Sequence, residues 1–410
     1  MAKLKVQNVG PIKDGFHGAD GFIDIRGVTV FIGNQGSGKS TVAKLFSSLC
    51  WIEKALVRGD FTDKYVMQYR RFKKHLEYQN LGNYLNDSSY IEYLGDAYHL
   101  TYSHGQFNVT ANVDQKNFSF PKIMYVPAER NFVSSVDRPD LVKRLPLPLY
   151  TFMDEYESAK QALNNIEKLP IGNVSFEYKK HSKKSFLVGI DFELELLEAS
   201  SGFQSLVPLV LVTRYLSEVI KNKTSETRKE INRDEEEKIR KAVAKAIENK
   251  KISEDVLTAV LEQLSAKFKY ESFINIVEEP EQNLFPTSQK AMLESLVEYN
   301  NMSVGNKLIM TTHSPYLINY ISLAVKAFMV SKKIESCKKT ELYDKLATIV
   351  PRFSMINPSD LLIYELSEQG DIIKLGSYNN LPSDENYLNE RLAETNYLFT
   401  DMLEIEDQCL

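Results

Sequence analysis

Short apolar runs that stop abruptly at polar residues organise this chain. Val28-Thr29-Val30-Phe31-Ile32, Phe273-Ile274-Asn275-Ile276-Val277 and Lys307-Leu308-Ile309-Met310 predict buried strands. Leu4 to Val9 and Gly21 to Arg26 predict two more, set off by the turn signals Gly10-Pro11 and Asp14-Gly15. From Thr41 to about Leu94 the chain reads as mainly helical, with Val42, Leu45, Phe46 and Leu49 on one face of its first helix. Alternation on either side of His104-Gly105 predicts a hairpin of His99 to Tyr102 with Phe107 to Thr110. Lys122 to Val126 reads as a strand ending in Pro127-Ala128-Glu129-Arg130, and a helical stretch including Tyr150 to Lys168 follows.

A second hairpin is predicted over Val174 to Leu197, turning through Lys179-Lys180-His181-Ser182-Lys183-Lys184. Residues 222–251 mix both signs of charge at helical spacing around Asp234-Glu235-Glu236-Glu237, which predicts a solvated helix. Ser359 to Leu375 reads as a hairpin around Gln369-Gly370. Asn386 to Ile405 reads as a helical tail with Leu388, Leu392, Tyr397, Leu398 and Met402 among many acids, a surface that could dock on the head or on another protein.

The chemistry sits where the apolar runs end. Gly33-Asn34-Gln35-Gly36-Ser37-Gly38-Lys39-Ser40-Thr41 matches the phosphate-loop pattern, with a strand before it and a helix after it. Glycines let successive N–H groups turn toward one anion, and the helix N-terminus adds its positive end. Lys39 is placed to reach the outer phosphates and Ser40 to hold Mg²⁺, so the expected ligand is ATP with Mg²⁺. Glu278 and Glu279 follow the strand that starts at Phe273. Beside the loop, Glu278 suits the metal shell and Glu279 the base that activates water. His313, after Thr311-Thr312, is placed to donate to a terminal phosphate oxygen. Ser200-Ser201-Gly202-Phe203-Gln204 opens another apolar helix, and its Ser-Gly start makes Ser201 and Gly202 candidates for a second anion site.

Charge and cysteines exclude other classes. A net charge of −5 argues against a surface dominated by nucleic acid, leaving DNA binding possible but not favoured. The lysines of the 179–184 turn are the best local basic patch. Cys50, Cys337 and Cys409 are too few and scattered for a disulfide framework or zinc site. No signal peptide or apolar run of membrane length is read, so the expectation is a soluble, cytoplasmic protein without a membrane partner.

In the order phosphate loop, Ser-Gly helix start, carboxylate strand and histidine, the chain resembles the ABC-type ATPase heads. That resemblance implies an α/β fold: a mixed sheet with helices, an antiparallel β subdomain and helical insertions. The family signature Leu-Ser-Gly-Gly-Gln is kept here at Ser201, Gly202 and Gln204, with Phe203 departing from it. Glu278 stands where Asp is usual, and Pro127-Ala128-Glu129-Arg130 falls roughly where the family has its metal-binding Gln loop. In that family the signature of one subunit closes on ATP held by another. The resemblance therefore implies a homo-oligomer with ATP at subunit interfaces.

Within the superfamily, Glu278-Glu279-Pro280-Glu281 with Leu284-Phe285-Pro286, and Thr312-His313-Ser314-Pro315-Tyr316, resemble the overcoming-lysogenization-defect (OLD) and RecF-like ATPases of prokaryotic defence. OLD nucleases carry a Toprim domain with an Asp-x-Asp pair. Fewer than one hundred residues follow His313, with no such pair among them. Nuclease activity is therefore expected from another chain, most simply a Toprim-type effector, with a phage-encoded trigger. An HNH partner of the Septu type and a RecF-like DNA clamp remain alternatives. The expected division is 1–130, the first half of the head; 131–172, a helical insertion; 173–335, the second half, with a charged insertion at about 222–270; and 336–410, a hairpin and helical tail.

Overall fold

The computed structural model describes residues 2–18, 20–68, 70–112, 118–142, 144–225 and 270–408. Its main strands are β1 (Lys3–Val9), β2 (Val28–Gly33), β3 (Leu85–Leu94), β4 (Tyr98–Ser103), β5 (Gln106–Ala111), β6 (Pro121–Val126), β7 (Ser175–Lys179), β8 (Lys184–Val188), β9 (Ser272–Glu278), β10 (Lys307–Thr312), β11 (Leu361–Leu366) and β12 (Asp371–Lys374). Its longer helices are α1 (Lys39–Arg58), α2 (Leu147–Ala162), α3 (Ser201–Ser225), α4 (Pro286–Asn300) and α5 (Pro315–Cys337); α6 (Leu342–Ala347) is short, and α7 (Tyr387–Asp407) closes the described chain.

The three apolar runs become neighbours in one sheet of seven strands, ordered Gly15–Phe16, β12, β11, β2, β10, β9, β6. Strands β11, β2, β10, β9 and β6 are mutually parallel, and β12 returns antiparallel beside β11. Every residue of β2 and β9 is buried, which fits parallel strands covered on both faces. Successive side chains alternate between two cores. Val28, Val30 and Ile32 face the core shared with α3, α4 and α5, whereas Phe31 faces the core under α1.

The second core joins α1 to an antiparallel sheet ordered Ile23–Asp24, β1, β3, β4, β5. Leu4, Val6, Ile91, Tyr93 and Leu100 of that sheet pack with Leu45, Phe46 and Leu49 of α1. Three sequence expectations change here. Leu85–Leu94 is a ten-residue strand, not the end of a helical stretch. Its burial alternates only from Ser89 onward, and Asn86 to Ser89 are polar, which hides the period-2 signal. Only Ile23–Asp24 of the expected Gly21 to Arg26 strand pairs. Helix α2 stops at Ala162, and Glu167–Lys168 pairs with β7 as a short edge strand.

The hairpin of β7 and β8 forms as the alternation indicates. The charged stretch from 226 to 269, including Asp234 to Glu237, lies outside the described residues. Helix α3 corrects the reading that no apolar run reaches membrane length: Ser201–Asn222 passes by length and composition. It is the central core helix, with 72% of that window buried inside the protein.

Candidate functional site

Strand β2 delivers the chain to Gly33, and α1 begins six residues later with Gly38 as its N-cap. Gly33, Gly36 and Gly38 all have positive φ, the left-handed side that other residues avoid. A Cβ on Gly33 would sit 2.3 Å from the carbonyl oxygen of Leu366, so β11 itself forbids a side chain there. The first N–H groups of α1 have no partners within the helix and carry its positive end, which suits an anion.

Lys39 is buried at the mouth of this loop. Its ammonium donates to the carbonyls of Gly33 at 3.0 Å and Asn34 at 2.6 Å. Burial pulls its pKa down to about 8, with the charges of Glu279 and Glu281 opposing. Asn34, Gln35 and Gly36 are exposed, Ser37 and Thr41 are buried, and Ser40 is half-buried. Asn34 accepts from the Gln35 N–H at 2.7 Å, and its amide donates to Glu368 beyond β11. Glu368 also accepts from the hydroxyl of Tyr387, at 3.3 Å, so the phosphate loop and the root of α7 share one carboxylate.

Glu278 ends β9 and is buried. Its carboxylate accepts from the Ala128 N–H at 3.3 Å and lies 3.6 Å from Lys44. Lys44 is one helical turn after Ser40, so Glu278 addresses the face of α1 that carries the Ser40 hydroxyl. Glu279 takes φ 41°, a conformation rare for a residue with a side chain. It is held there by its N–H bond to Thr311 O at 2.9 Å. Its carboxylate lies 3.6 Å from Nε2 of His313. Burial and the Lys39 charge push the His313 pKa down, with a hydrogen bond to the Gly33 backbone opposing. Both effects favour the neutral imidazole. Lys39, Glu279 and His313, distant in sequence, converge beside Gly33.

Two residues that sequence reasoning did not single out hold this arrangement. Arg130 is fully buried, and its guanidinium donates to the carbonyls of Glu278 at 2.7 Å, Glu279 at 2.7 Å and Ser205 at 3.3 Å. Burial pulls its pKa down to about 10, opposed first by Glu281. One side chain thus ties the carboxylate turn to the first turn of α3. Glu281 accepts from the Thr312 hydroxyl and the His313 N–H, both at 2.8 Å, and so sets the histidine's backbone. Burial raises its pKa. The signal for Glu281 was present in Glu278-Glu279-Pro280-Glu281; nothing local marks Arg130 as buried.

The start of α3 faces elsewhere. Ser201 is exposed, and a Cβ on Gly202 would meet the carbonyl of Asn283 at 2.8 Å, so glycine permits this close approach. Ser205 donates to Gln282 at 3.3 Å. Gln204, the glutamine of the expected signature, points into its own chain. It is buried, and its amide donates to the carbonyls of Leu197 at 2.8 Å and Leu196 at 3.3 Å, capping the preceding turn. Among the described residues, no hydrogen bond joins 199–206 to the loop 33–41.

The fold and site define a phosphate-loop α/β protein. No protein-family profile matches the chain, and no curated protein does. Among solved structures it is similar to an SMC head domain from Thermotoga maritima, at 13% identity over 78% of this chain and 90% of that one, with a TM-score of 0.34. It is also similar to an SMC head bound to the C-winged helix domain of ScpA, at 11% identity over 78% and 90%, with a TM-score of 0.33. Likenesses this distant carry no weight for function; the geometry of the loop and the strand ends does.

Proposed function

We propose that this chain is an ABC-type ATPase that binds ATP with Mg²⁺ and uses it to hold and release a separate effector nuclease in prokaryotic anti-phage defence, in the manner of AriA of the PARIS system. One observation carries the ATPase reading: Lys39, Glu279 and His313 meet beside Gly33 at the same ends of parallel strands, the edge where such sheets bind ligands. The donor set fits a small hard cation, since Ser40 and Glu278 offer oxygens from facing elements. Such an ion supplies charge neutralisation at the phosphates. The loop N–H groups and Lys39 bind the phosphates, Glu279 accepts a proton from water, and neutral His313 donates to the terminal phosphate oxygen.

Defence rests on the resemblance of the Glu278 to Pro286 and Thr312 to Tyr316 segments to OLD-like ATPases. The RecF-like alternative has one structural observation against it. Lys179 and Lys184, half of the basic turn, are already paired with Glu193 and Glu195. A Septu-type partnership with an HNH nuclease uses the same head and differs only in the effector.

Lys39→Ala tests the head. It should abolish ATP binding measured by calorimetry while the melting temperature changes little; wild-type affinity would refute the assignment. Co-expression with the product of the neighbouring gene tests the rest. A stable complex with a nuclease supports the effector reading. Tight duplex binding by this chain alone, lost steeply with salt, favours the DNA clamp.

A further inference from the structure

Helix α7 is rooted firmly and then left uncovered. Its cap Asn386 accepts from the Asn389 N–H at 3.1 Å, the Tyr387 N–H donates to Glu365 at 3.1 Å, and Leu388 is buried. Beyond that turn, Leu392, Leu398, Phe399, Met402, Leu403 and Ile405 are 45–62% exposed. At 100° per residue they share one side of a helix about 30 Å long. Helices in proteins draw most of their stability from packing an apolar face, and contiguous apolar surface of this kind marks an interaction site. Its charge is one-sided: Glu390, Glu394, Asp401, Glu404, Glu406 and Asp407 against Arg391.

The same chain carries a surface of the opposite kind. The end of α5, α6 and the turn Arg352–Ser354 surround their own small core of Ala327, Ile334, Leu346, Val350 and Met355. Outside it, Leu342, Ile349 and Phe353 are 40%, 48% and 68% exposed. Between 332 and 352 six basic residues face three acids, and Lys338 and Lys339 have no ion pair among the described residues.

We propose that α7 of one copy docks its apolar stripe on this basic lobe of a second copy. Pairing α7 with α7 would set acid against acid. Docking on the lobe sets six acids and one base against six bases and three acids, while burying apolar surface on both sides. The contact is heterologous, so two of them related by a two-fold axis close a dimer and head-to-tail repetition builds a ring. Nucleotide is not required, which separates this contact from any interface closed by ATP.

Sedimentation of the full chain without nucleotide, over a concentration series, tests this. The wild type should self-associate. Lys338→Glu with Lys339→Glu should weaken association by about tenfold or more, as should Asp401→Lys with Asp407→Lys, on the borders of the apolar stripe. Combining all four should restore it. Phe353→Glu, at a side chain that is 68% exposed and outside the small core, is a second lesion with the same expected loss. A monomeric wild type, association that appears only with ATP, unchanged mass in the lobe variants, or no recovery in the charge-swapped chain would each overturn the proposal.

Discussion

Two helices of this protein begin with glycine and a hydroxyl residue, and they differ in what the rest of the chain does with them. At the start of α1, Lys39 is buried against the carbonyls of Gly33 and Asn34, and Glu279 and His313 converge from other strands. At the start of α3, Ser201 is exposed, Gln204 is turned inward, and Gly202 is pressed against Asn283. The first is a built anion site with its own charges. The second is a platform without charged groups converging on it, linked through Arg130 to the turn that holds Glu279. Similar local sequence therefore gathers charged groups in one place and leaves an exposed helix start without them in the other.

The sharpest way to break this contrast is to remove the proposed base. Glu279→Gln should leave ATP binding intact and slow hydrolysis by about 10²–10⁴-fold, the usual loss for a positioned base. Single-turnover hydrolysis measures it; a variant that binds poorly but turns over normally would move Glu279 to the binding shell.

Next comes the division between the two helix starts. If Ser201 and Gly202 cap ATP held by a neighbouring copy, co-expressed Lys39→Ala and Ser201→Arg chains should recover hydrolysis that neither shows alone. In a two-fold assembly, random mixing restores about a quarter of wild-type activity, because mixed dimers keep one intact site of two. No recovery would mean that α3 plays no part in the neighbour's site.

The smallest effect is in the pH dependence of binding. Lys39 has a folded pKa lowered to about 8, so the free protein loses that charge as pH rises through 8. Phosphate favours the charged form, hence binding takes up a proton and affinity falls above pH 8, by up to about tenfold per pH unit. The sign for stability is opposite. Between 8 and the unfolded value near 10.5 the unfolded chain holds the extra proton, so stability rises with pH in that window. Calorimetry in buffers of different ionisation heat reads the proton uptake directly. An affinity flat from pH 7 to 9.5 would put Lys39 away from the phosphates.

Much of this molecule is legible in its sequence. Val28 to Ile32, Phe273 to Val277 and Lys307 to Met310 read as strands because parallel strands covered on both faces must be apolar throughout. The phosphate loop read clearly because its requirements are local: positive φ at Gly33, Gly36 and Gly38, and a helix beginning at Lys39. Leu85 to Leu94 misled because its first residues are polar, and what pairs that half with β1 lies eighty residues away. The partners of Gln204 were hidden for a related reason. A glutamine at a helix start can face a ligand or its own chain, and only the position of the Leu196 and Leu197 carbonyls decides. Arg130 is the clearest case. An arginine after a strand has the composition of a surface residue, and it becomes a buried fastener only because the carbonyls of Glu278, Glu279 and Ser205 arrive around it from two other elements. Periodicity and φ are properties of neighbours along the chain, so the sequence itself determined the strands and the loop. Burial and hydrogen-bond partnership are properties of neighbours in space, so the tertiary structure alone decided which polar side chains hold the site together.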